Sequence, residues 1–152
     1  MSCEDLFLKR LRQRGFRLTP QRELVLSVLH QVGQPSTAED IYERVAQQSP
    51  SVELSTVYRT LDLMVDMHIV TLIAGGGEKQ QRLFELQGAE SDHLHLVCRR
   101  CGKIIGVALE DAQPLVRAVQ ARAQFTLDLN NLTIPGLCAD CARAEEAETG
   151  AR

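Results

Sequence analysis

Apolar residues recur at helical spacing through the first 67 residues of the chain, with polar residues between them. Thr19 followed by Pro20 has the chemistry of a helix N-cap and a first helical position. Thr37 and Asp40 are spaced as in a capping box, with Asp in place of the usual Glu or Gln. The pattern predicts four helices, which cover 4–14, 20–32, a segment from Ser36 to the loop at 49–51, and Ser55 to Met67.

Beyond Met67 the apolar period changes from that of a helix to that of a strand. Residues 69–73 and 82–86 predict a β-hairpin with a glycine-rich turn at 75–79. Helices followed by a hairpin are typical of a winged helix-turn-helix, in which a late helix enters the major groove of DNA. The fourth helix suits that role because its first turns carry hydroxyl, phenol and guanidinium groups, although any surface helix shows a polar face.

After Leu86 the character of the chain changes, which predicts a second domain of strands and a helix. Pro114 is tolerable in this helix only within the first turn, and the polar tail after Ala142 is expected to be frayed. The fold class is therefore α+β, a winged helix-turn-helix followed by a small α/β domain. The predicted elements are a strand at 103–109, a helix at 111–123 and partial strand alternation at 125–134. The predicted domains are 1–86, a linker at 87–91, 92–145 and a flexible tail at 146–152.

Composition and charge limit the possible classes of protein. Apolar residues make up 44% of the chain but aromatic residues only 4%, so the cores are expected to be aliphatic. Small aliphatic cores are expected to need additional stabilisation from dimerisation or from a bound metal. Without a signal peptide or the ~20 apolar residues of a membrane helix, we expect a cytoplasmic protein. A net charge of −3 gives no global basic field. The cations between Lys9 and Arg22 could contact phosphates or form a solvated helix face.

The strongest chemical signal is a pair of CxxC motifs, formed by Cys98 with Cys101 and by Cys138 with Cys141. Each motif places two sulfur atoms on a tight turn, and two such turns provide four thiolates for one tetrahedral ion. Two matched pairs favour a structural zinc over redox dithiols, which a lone CxxC would leave open. Zinc would join the first and last strands of the second domain, so its binding free energy would contribute to folding.

A second group of candidate metal ligands consists of Glu85, His93 and His95. Two histidines separated by one residue lie on the same side of a strand, and Glu85 precedes them across the linker. Imidazole and carboxylate together suit iron(II), manganese(II) or zinc(II). The alternative is that both histidines are surface strand residues beside the zinc turn.

Six motifs follow one another along the chain: RLTPQR (17–22), TAEDIY (37–42), STVYRTL (55–61), LFEL (83–86), DHLHLVCRRCGK (92–103) and GLCADC (136–141). In this order and spacing they are highly specific and resemble the ferric uptake regulator (Fur) family of metal-dependent repressors. The similarity covers nearly all of the chain, from Arg17 to Cys141.

The resemblance implies a C-terminal dimerisation domain and a homodimer that binds a palindromic operator of double-stranded DNA. It also implies a corepressor metal, Fe2+, Zn2+ or Mn2+, that closes the dimer on DNA in response to iron, zinc or peroxide status. The four cysteines match the structural zinc ligands of the family, and Glu85, His93 and His95 match its hinge metal ligands. The residues expected at the DNA are Arg17, Thr19, Gln21, Arg22, Ser55, Thr56, Tyr58 and Arg59.

Several positions depart from the family pattern and leave the hinge site incomplete. Gln34-Pro35 replaces the histidine before the third helix, and Gly106 replaces an acidic ligand. A further metal site is weakened by Leu94 and Asn130, and the hinge lacks the cysteine of zinc-sensing relatives.

Two residues are candidates for the missing hinge ligand, each with a plainer explanation. His68 ends the recognition helix where Gly or Asn is favoured, which hints at a role or reflects a strained helix end. Asp92 could be a ligand or a solvated linker residue.

The other reactive side chains and rival functions complete the sequence-based picture. Cys3 reads as a loose terminal thiol, and His30 as a surface residue favourable to the helix dipole. No motif supplies the base and substrate cleft of a metalloenzyme, so we expect no enzymatic activity. A constitutive DNA-binding regulator that has lost metal sensing, and a zinc-stabilised interaction module without DNA binding, stay open as alternatives.

Overall fold

The computed structural model describes residues 3–13, 15–77, 81–87, 93–129 and 132–150. The chain forms two compact units, Met1–Leu72 with Arg82–Ala89, and Ile73–Gln81 with Glu90–Arg152. Its elements are α1 (Cys3–Gln13), α2 (Pro20–Val32), α3 (Ala38–Gln48), α4 (Leu54–Asp66), β1 (Val70–Ala74), β2 (Arg82–Leu86), β3 (His93–Cys98), β4 (Ile104–Ala108), α5 (Leu109–Ala123), β5 (Thr133–Gly136) and α6 (Ala139–Gly150).

Local side-chain hydrogen bonds cap the starts of α2 and α3 in the first unit. The Thr19 side chain accepts the Arg22 backbone N–H and caps α2, which Gly33 closes in the left-handed conformation. Thr37 and Asp40 form the expected reciprocal capping box at α3. These contacts confirm the predicted helix starts, because capping joins residues only a few positions apart.

The core of the first unit lies between α2, α3 and α4, and Phe84 of the wing is the one aromatic residue among its described buried side chains. Ser36 and Phe84 exchange two backbone hydrogen bonds, of 3.1 and 2.8 Å, which dock the loop before α3 on the β1–β2 sheet. Fully buried side chains include Val25, Leu26, Val28, Leu29, Ile41, Val45, Val57 and Leu61. The arrangement is the expected winged helix-turn-helix.

The second unit contains a three-stranded sheet in the order β4-β3-β5. β3 pairs with β4 antiparallel and with β5 parallel, so the chain crosses over through α5 between β4 and β5. The parallel register places Cys98 beside Gly136. The ends of β3 and β5, each of which leads into a CxxC turn, therefore lie side by side.

Two expectations for this unit are corrected. Among the described residues of the segment expected to alternate from Phe125, only Thr133 and those that follow it to Gly136 form a strand, because these residues pair with β3. The fifth helix begins at Leu109, so Pro114 lies inside the helix, beyond its first turn.

The polar C-terminal tail differs from the expected frayed segment. Alanine-rich α6 continues to Gly150, since alanine and glutamate favour helix. Two exposed ion pairs connect this helix to the CxxC turn, Arg99–Glu145 at 3.4 Å and Arg100–Glu148 at 2.6 Å. Tertiary contacts therefore support a helix that has no apolar stripe of its own.

The domain boundaries stay a prediction. The tip of the wing, Ile73–Gln81, groups with the second unit. Of the expected linker, the structure describes only Gln87, whose backbone N–H donates to Ile69 at 2.8 Å. Within the described ranges, no helix is long and apolar enough to cross a membrane.

Candidate metal centres and nucleic-acid interface

The four cysteines of the two CxxC motifs form one cluster in the second unit. Their sulfur atoms all lie within 4.8 Å of one another, and the Sγ atoms of Cys101 and Cys138 are 3.8 Å apart. Four sulfurs around a tetrahedral zinc, each at about 2.3 Å, lie about 3.8 Å from one another. The donor set and its spacing therefore fit a structural zinc ion.

Hydrogen bonding separates the pKa values of these thiols. Backbone N–H groups of Cys101 and Cys138 donate to the sulfur of Cys98 and lower the pKa of Cys98 to about 6. A hydrogen bond with the Cys138 side chain, together with burial, raises the pKa of Cys141 to about 12. Four adjacent thiolates repel one another unless a cation neutralises their charge. All four cysteines can therefore ionise together only when a dication is bound between them.

The turn between Cys98 and Lys103 presents these sulfurs by means of its own backbone. The Gly102 N–H donates to Cys98 O at 2.9 Å, and Gly102 takes the positive φ of 78° that suits glycine. The Gly77 N–H donates to Arg99 O at 3.1 Å, so the glycine-rich wing tip contacts the same turn.

The histidine pair converges at the other end of β3. The Nε2 atoms of His93 and His95 are 3.1 Å apart, and their rings meet edge to face with centroids 4.6 Å apart. His95 is buried and His93 is half-buried. Two nitrogens on one tetrahedral zinc, at about 2.0–2.1 Å, lie roughly 3.3 Å apart. The pair thus has the spacing of two ligands to one ion.

Among the remaining hinge candidates, the structure describes Glu85 and His68. Glu85 lies on β2 in the first unit and is half-buried, and exposed His68 has a φ of 55°, the left-handed conformation expected at that helix end. Asp92 lies outside the described residues, as do Asn130 and the side chain of Cys3. Gly106 pairs directly with His95 across the sheet. His30 is exposed on α2, as expected.

The candidate recognition helix α4 presents the expected polar groups. Ser55 and Arg59 are exposed, and Thr56 and Tyr58 are half-buried. The Tyr58 hydroxyl donates to a Glu39 carboxylate oxygen at 2.6 Å, and this hydrogen bond raises the pKa of Tyr58. The predicted contact residue is thus already bound to a carboxylate of α3.

The predicted contacts around the start of α2 also have structural roles. Thr19 caps the helix, and the Arg22 guanidinium donates to Arg17 O at 3.0 Å. Gln21 is exposed.

Two residues that matter to this surface were not singled out from the sequence. Arg82 of β2 and Asp62 of α4 form a 2.8 Å ion pair that joins wing and recognition helix. These two residues are 20 positions apart in the sequence, and no local sequence motif predicts an ion pair between them.

The chain combines a winged helix-turn-helix unit with a second unit that carries a four-thiolate centre and an imidazole pair. This combination defines a metal-dependent DNA-binding regulator. A family model described as the ferric uptake regulator family matches residues 13–134. The ferric uptake regulation protein of Bacillus subtilis (strain 168) is 32% identical over 138 residues, which cover 90% of this chain and 93% of that protein. The chain therefore belongs to the ferric uptake regulator family.

Solved structures of relatives agree with the fold. The ferric uptake regulator Fur of Helicobacter pylori, described as having three functional metal-binding sites, matches with a TM-score of 0.70 at 26% identity, covering 93% of this chain and 95% of that one. A zinc uptake regulator complexed with zinc and DNA matches with a TM-score of 0.61 at 26% identity, covering 94% and 95%. These findings confirm the expected α+β fold and the expected class, a metal-responsive transcriptional repressor of the Fur type.

Proposed function

We propose that this protein is a homodimeric repressor whose affinity for a palindromic operator is set by a divalent metal bound at a hinge site. The observation that carries the proposal is the convergence of His93 and His95 on the strand that also ends in the cysteine cluster. A strand anchored by zinc holds both nitrogen atoms near their bound positions, which reduces the ordering cost of metal binding.

We assign the hinge metal to Glu85, His93 and His95, with His68 or Asp92 as the candidate fourth ligand. A carboxylate and imidazoles suit iron(II), manganese(II) and zinc(II). The positive φ of His68 supports its candidacy, because non-glycine residues hold this conformation at a cost that often marks a functional position.

We assign the structural zinc to Cys98, Cys101, Cys138 and Cys141. A closed site of four thiolates has no open coordination position, so it serves folding and not the signal. The signal would then act through the histidine site alone.

We propose that α4 enters the major groove and that the start of α2 contacts the DNA backbone. Arg59 and Ser55 are exposed on α4 and offer donors to base edges and phosphates. The relative solved with zinc and DNA supports duplex DNA as the partner. Contacts of Arg17, Thr19, Gln21, Arg22, Thr56 and Tyr58 belong to the same proposal.

Metal and DNA would be coupled through one conformational equilibrium. A metal that binds the DNA-competent dimer better than the open dimer shifts the population toward it. The coupling is reciprocal, so operator DNA must tighten metal binding by the same factor. A cytoplasmic location and the lack of enzymatic activity stay predictions.

The test is operator-fragment binding by protein that retains its cysteine-bound zinc, titrated anaerobically with iron(II), manganese(II) or zinc(II). Because allosteric coupling is typically 1–3 kcal/mol, one of these metals should tighten binding by about 5–150-fold. The double variant His93→Ala, His95→Ala should lose this dependence. His30→Ala, which removes an exposed histidine from α2, is the matched control.

Two results would overturn the proposal. Metal-dependent binding that survives in the double histidine variant would remove the hinge site from the mechanism. Tight operator binding that none of the three metals changes would identify a constitutive regulator. Pro35 and Gly106 would then mark the loss of the sensory metal site.

A further inference from the structure

An ion pair joins the wing to the candidate recognition helix. Nη2 of Arg82 on β2 lies 2.8 Å from Oδ1 of Asp62 on α4. Asp62 follows Tyr58 by four positions, and residues four apart lie on one face of a helix. The pKa of Tyr58 is raised chiefly by its hydrogen bond to Glu39. The charge of Asp62 also raises this pKa and that of Arg82 lowers it, so the ion pair lies near a proposed DNA contact.

The ion pair is exposed, but the cation in it is held in place by the core. The side chains of Arg82 and Asp62 are 51% and 52% exposed, and such pairs contribute little to stability because water screens them. The guanidinium carbon of Arg82 also lies 5.4 Å from the ring centroid of Phe84, which is fully buried. This cation–π contact restrains the guanidinium independently of Asp62.

We propose that Arg82 is a contact of the wing to the DNA backbone, and that Asp62 holds its guanidinium when DNA is absent. A carboxylate and a phosphate both offer paired oxygen acceptors to a guanidinium, so a phosphate can take the place of Asp62. This inference rests on the proposed DNA-binding function. It adds a wing residue to the contacts proposed for α2 and α4, and it makes Asp62 a competitor of DNA.

A purely structural ion pair would respond differently to substitution. If the pair served only to hold the wing against α4, loss of either partner would weaken DNA binding alike. If Arg82 binds a phosphate, loss of Arg82 removes an attraction to DNA. Loss of Asp62 instead frees the cation and removes a negative charge close to the phosphates. The two substitutions then change the affinity for DNA in opposite directions.

The test measures DNA binding by Arg82→Gln, by Asp62→Asn and by the double variant. The probe is a duplex that the wild type selects from a random pool, under whichever of the three metal conditions gives the tightest binding. Affinity is measured over a range of salt concentrations, because phosphate contacts set its salt dependence. Arg44→Gln and Glu43→Gln are the controls, since they make the same charge changes at exposed positions of α3.

We expect Arg82→Gln to weaken binding by about threefold or more at low salt, because a charge-assisted contact is lost. The slope of log affinity against log salt should fall by about 0.9 for each Arg82 that binds a phosphate. Asp62→Asn should tighten binding. In the double variant this gain should largely disappear, because no cation is left to release.

Two results would overturn the inference while leaving the proposed function intact. One is weaker binding in both single variants, which would make the pair a structural link. The other is a salt dependence of Arg82→Gln equal to that of the wild type, which would remove Arg82 from the phosphate contacts. If the wild type selects no duplex under any condition, the proposed function and this inference fail together.

Discussion

Side chains expected to contact DNA are already engaged within the protein. The Tyr58 hydroxyl donates to Glu39, and the Arg22 guanidinium donates to the backbone of Arg17. To donate to a phosphate or a base, the Tyr58 phenol would have to give up its hydrogen bond to the carboxylate. The exchange lowers the net gain from the new contact, because the lost hydrogen bond is itself charge-assisted.

We predict that Glu39→Gln lowers the pKa of Tyr58 and tightens DNA binding. The carboxylate raises the pKa of Tyr58 above 10.0 chiefly through their hydrogen bond. A raised folded-state pKa stabilises the native state below the unfolded value, and this contribution is lost as the pH rises through the folded value. Removing the charge should also strengthen binding a few-fold at low salt, because one repulsion with phosphate disappears.

Ultraviolet titration of the phenol and operator binding at two salt concentrations measure both effects. Glu43→Gln is the matched control, since Glu43 is an exposed carboxylate on the same helix. Equal phenol titration in the two variants would refute the coupling between Tyr58 and Glu39.

At the level of elements, the tip of the wing packs against the cysteine turn within the second unit. The tip of the wing contacts the backbone of the CxxC turn through Gly76 and Gly77, and a Cβ on Gly76 would lie 2.8 Å from Val97 Cγ1 and would overlap the carbonyl oxygen of Cys98. A backbone atom held by its own hydrogen bonds moves less easily than a side chain does. The turn that carries two of the proposed zinc ligands thus also contacts the tip of the wing.

We predict that Gly76→Ala destabilises the second unit by about 1–3 kcal/mol, the usual cost of forcing extra atoms into a packed site. Thermal unfolding measures the loss, and limited proteolysis of the wing loop reports whether the tip has left the turn. Gly136→Ala is the control, since a Cβ added there is accommodated. Equal unfolding temperatures for the two variants would show that the wing tip contributes nothing to stability.

For the whole molecule, the two units have unequal cores. The large cluster of buried side chains belongs to the first unit. Among the described residues of the second unit, the buried apolar side chains are few and include two zinc-ligand candidates, Cys98 and Cys138. Such a small core needs an additional source of folding free energy, which a structural metal provides.

We therefore predict that a strong chelator unfolds the second unit before the first. Hydrogen exchange resolved by peptide should show loss of protection in β3, β4 and β5 while α2, α3 and α4 stay protected. Cys138→Ser should reproduce this pattern, whereas Cys3→Ser, which changes a residue of α1, should not. Simultaneous loss of protection in both units would contradict the prediction.

The amino-acid sequence by itself determined the features that depend on neighbouring residues. The caps at Thr19 and Thr37, the hairpin, the two CxxC turns and the histidines on one side of a strand were all predictable. The interacting groups are separated by a few residues, or in the hairpin by one turn, so local backbone geometry brings them together.

Tertiary structure decided the features that join distant segments. The parallel pairing of β5 with β3 brings the two CxxC motifs together, and it limits the last strand to Thr133–Gly136. Ion pairs from Arg99 and Arg100 support a helix in the tail, and the ring of His93 occupies the space beside Gly106. The matched CxxC motifs predicted that the two turns share one ion. Sequence patterns do not specify the strand pairing, the ion pairs or the position of the ring, because these form only after chain segments far apart in sequence have packed and closed the loops between them.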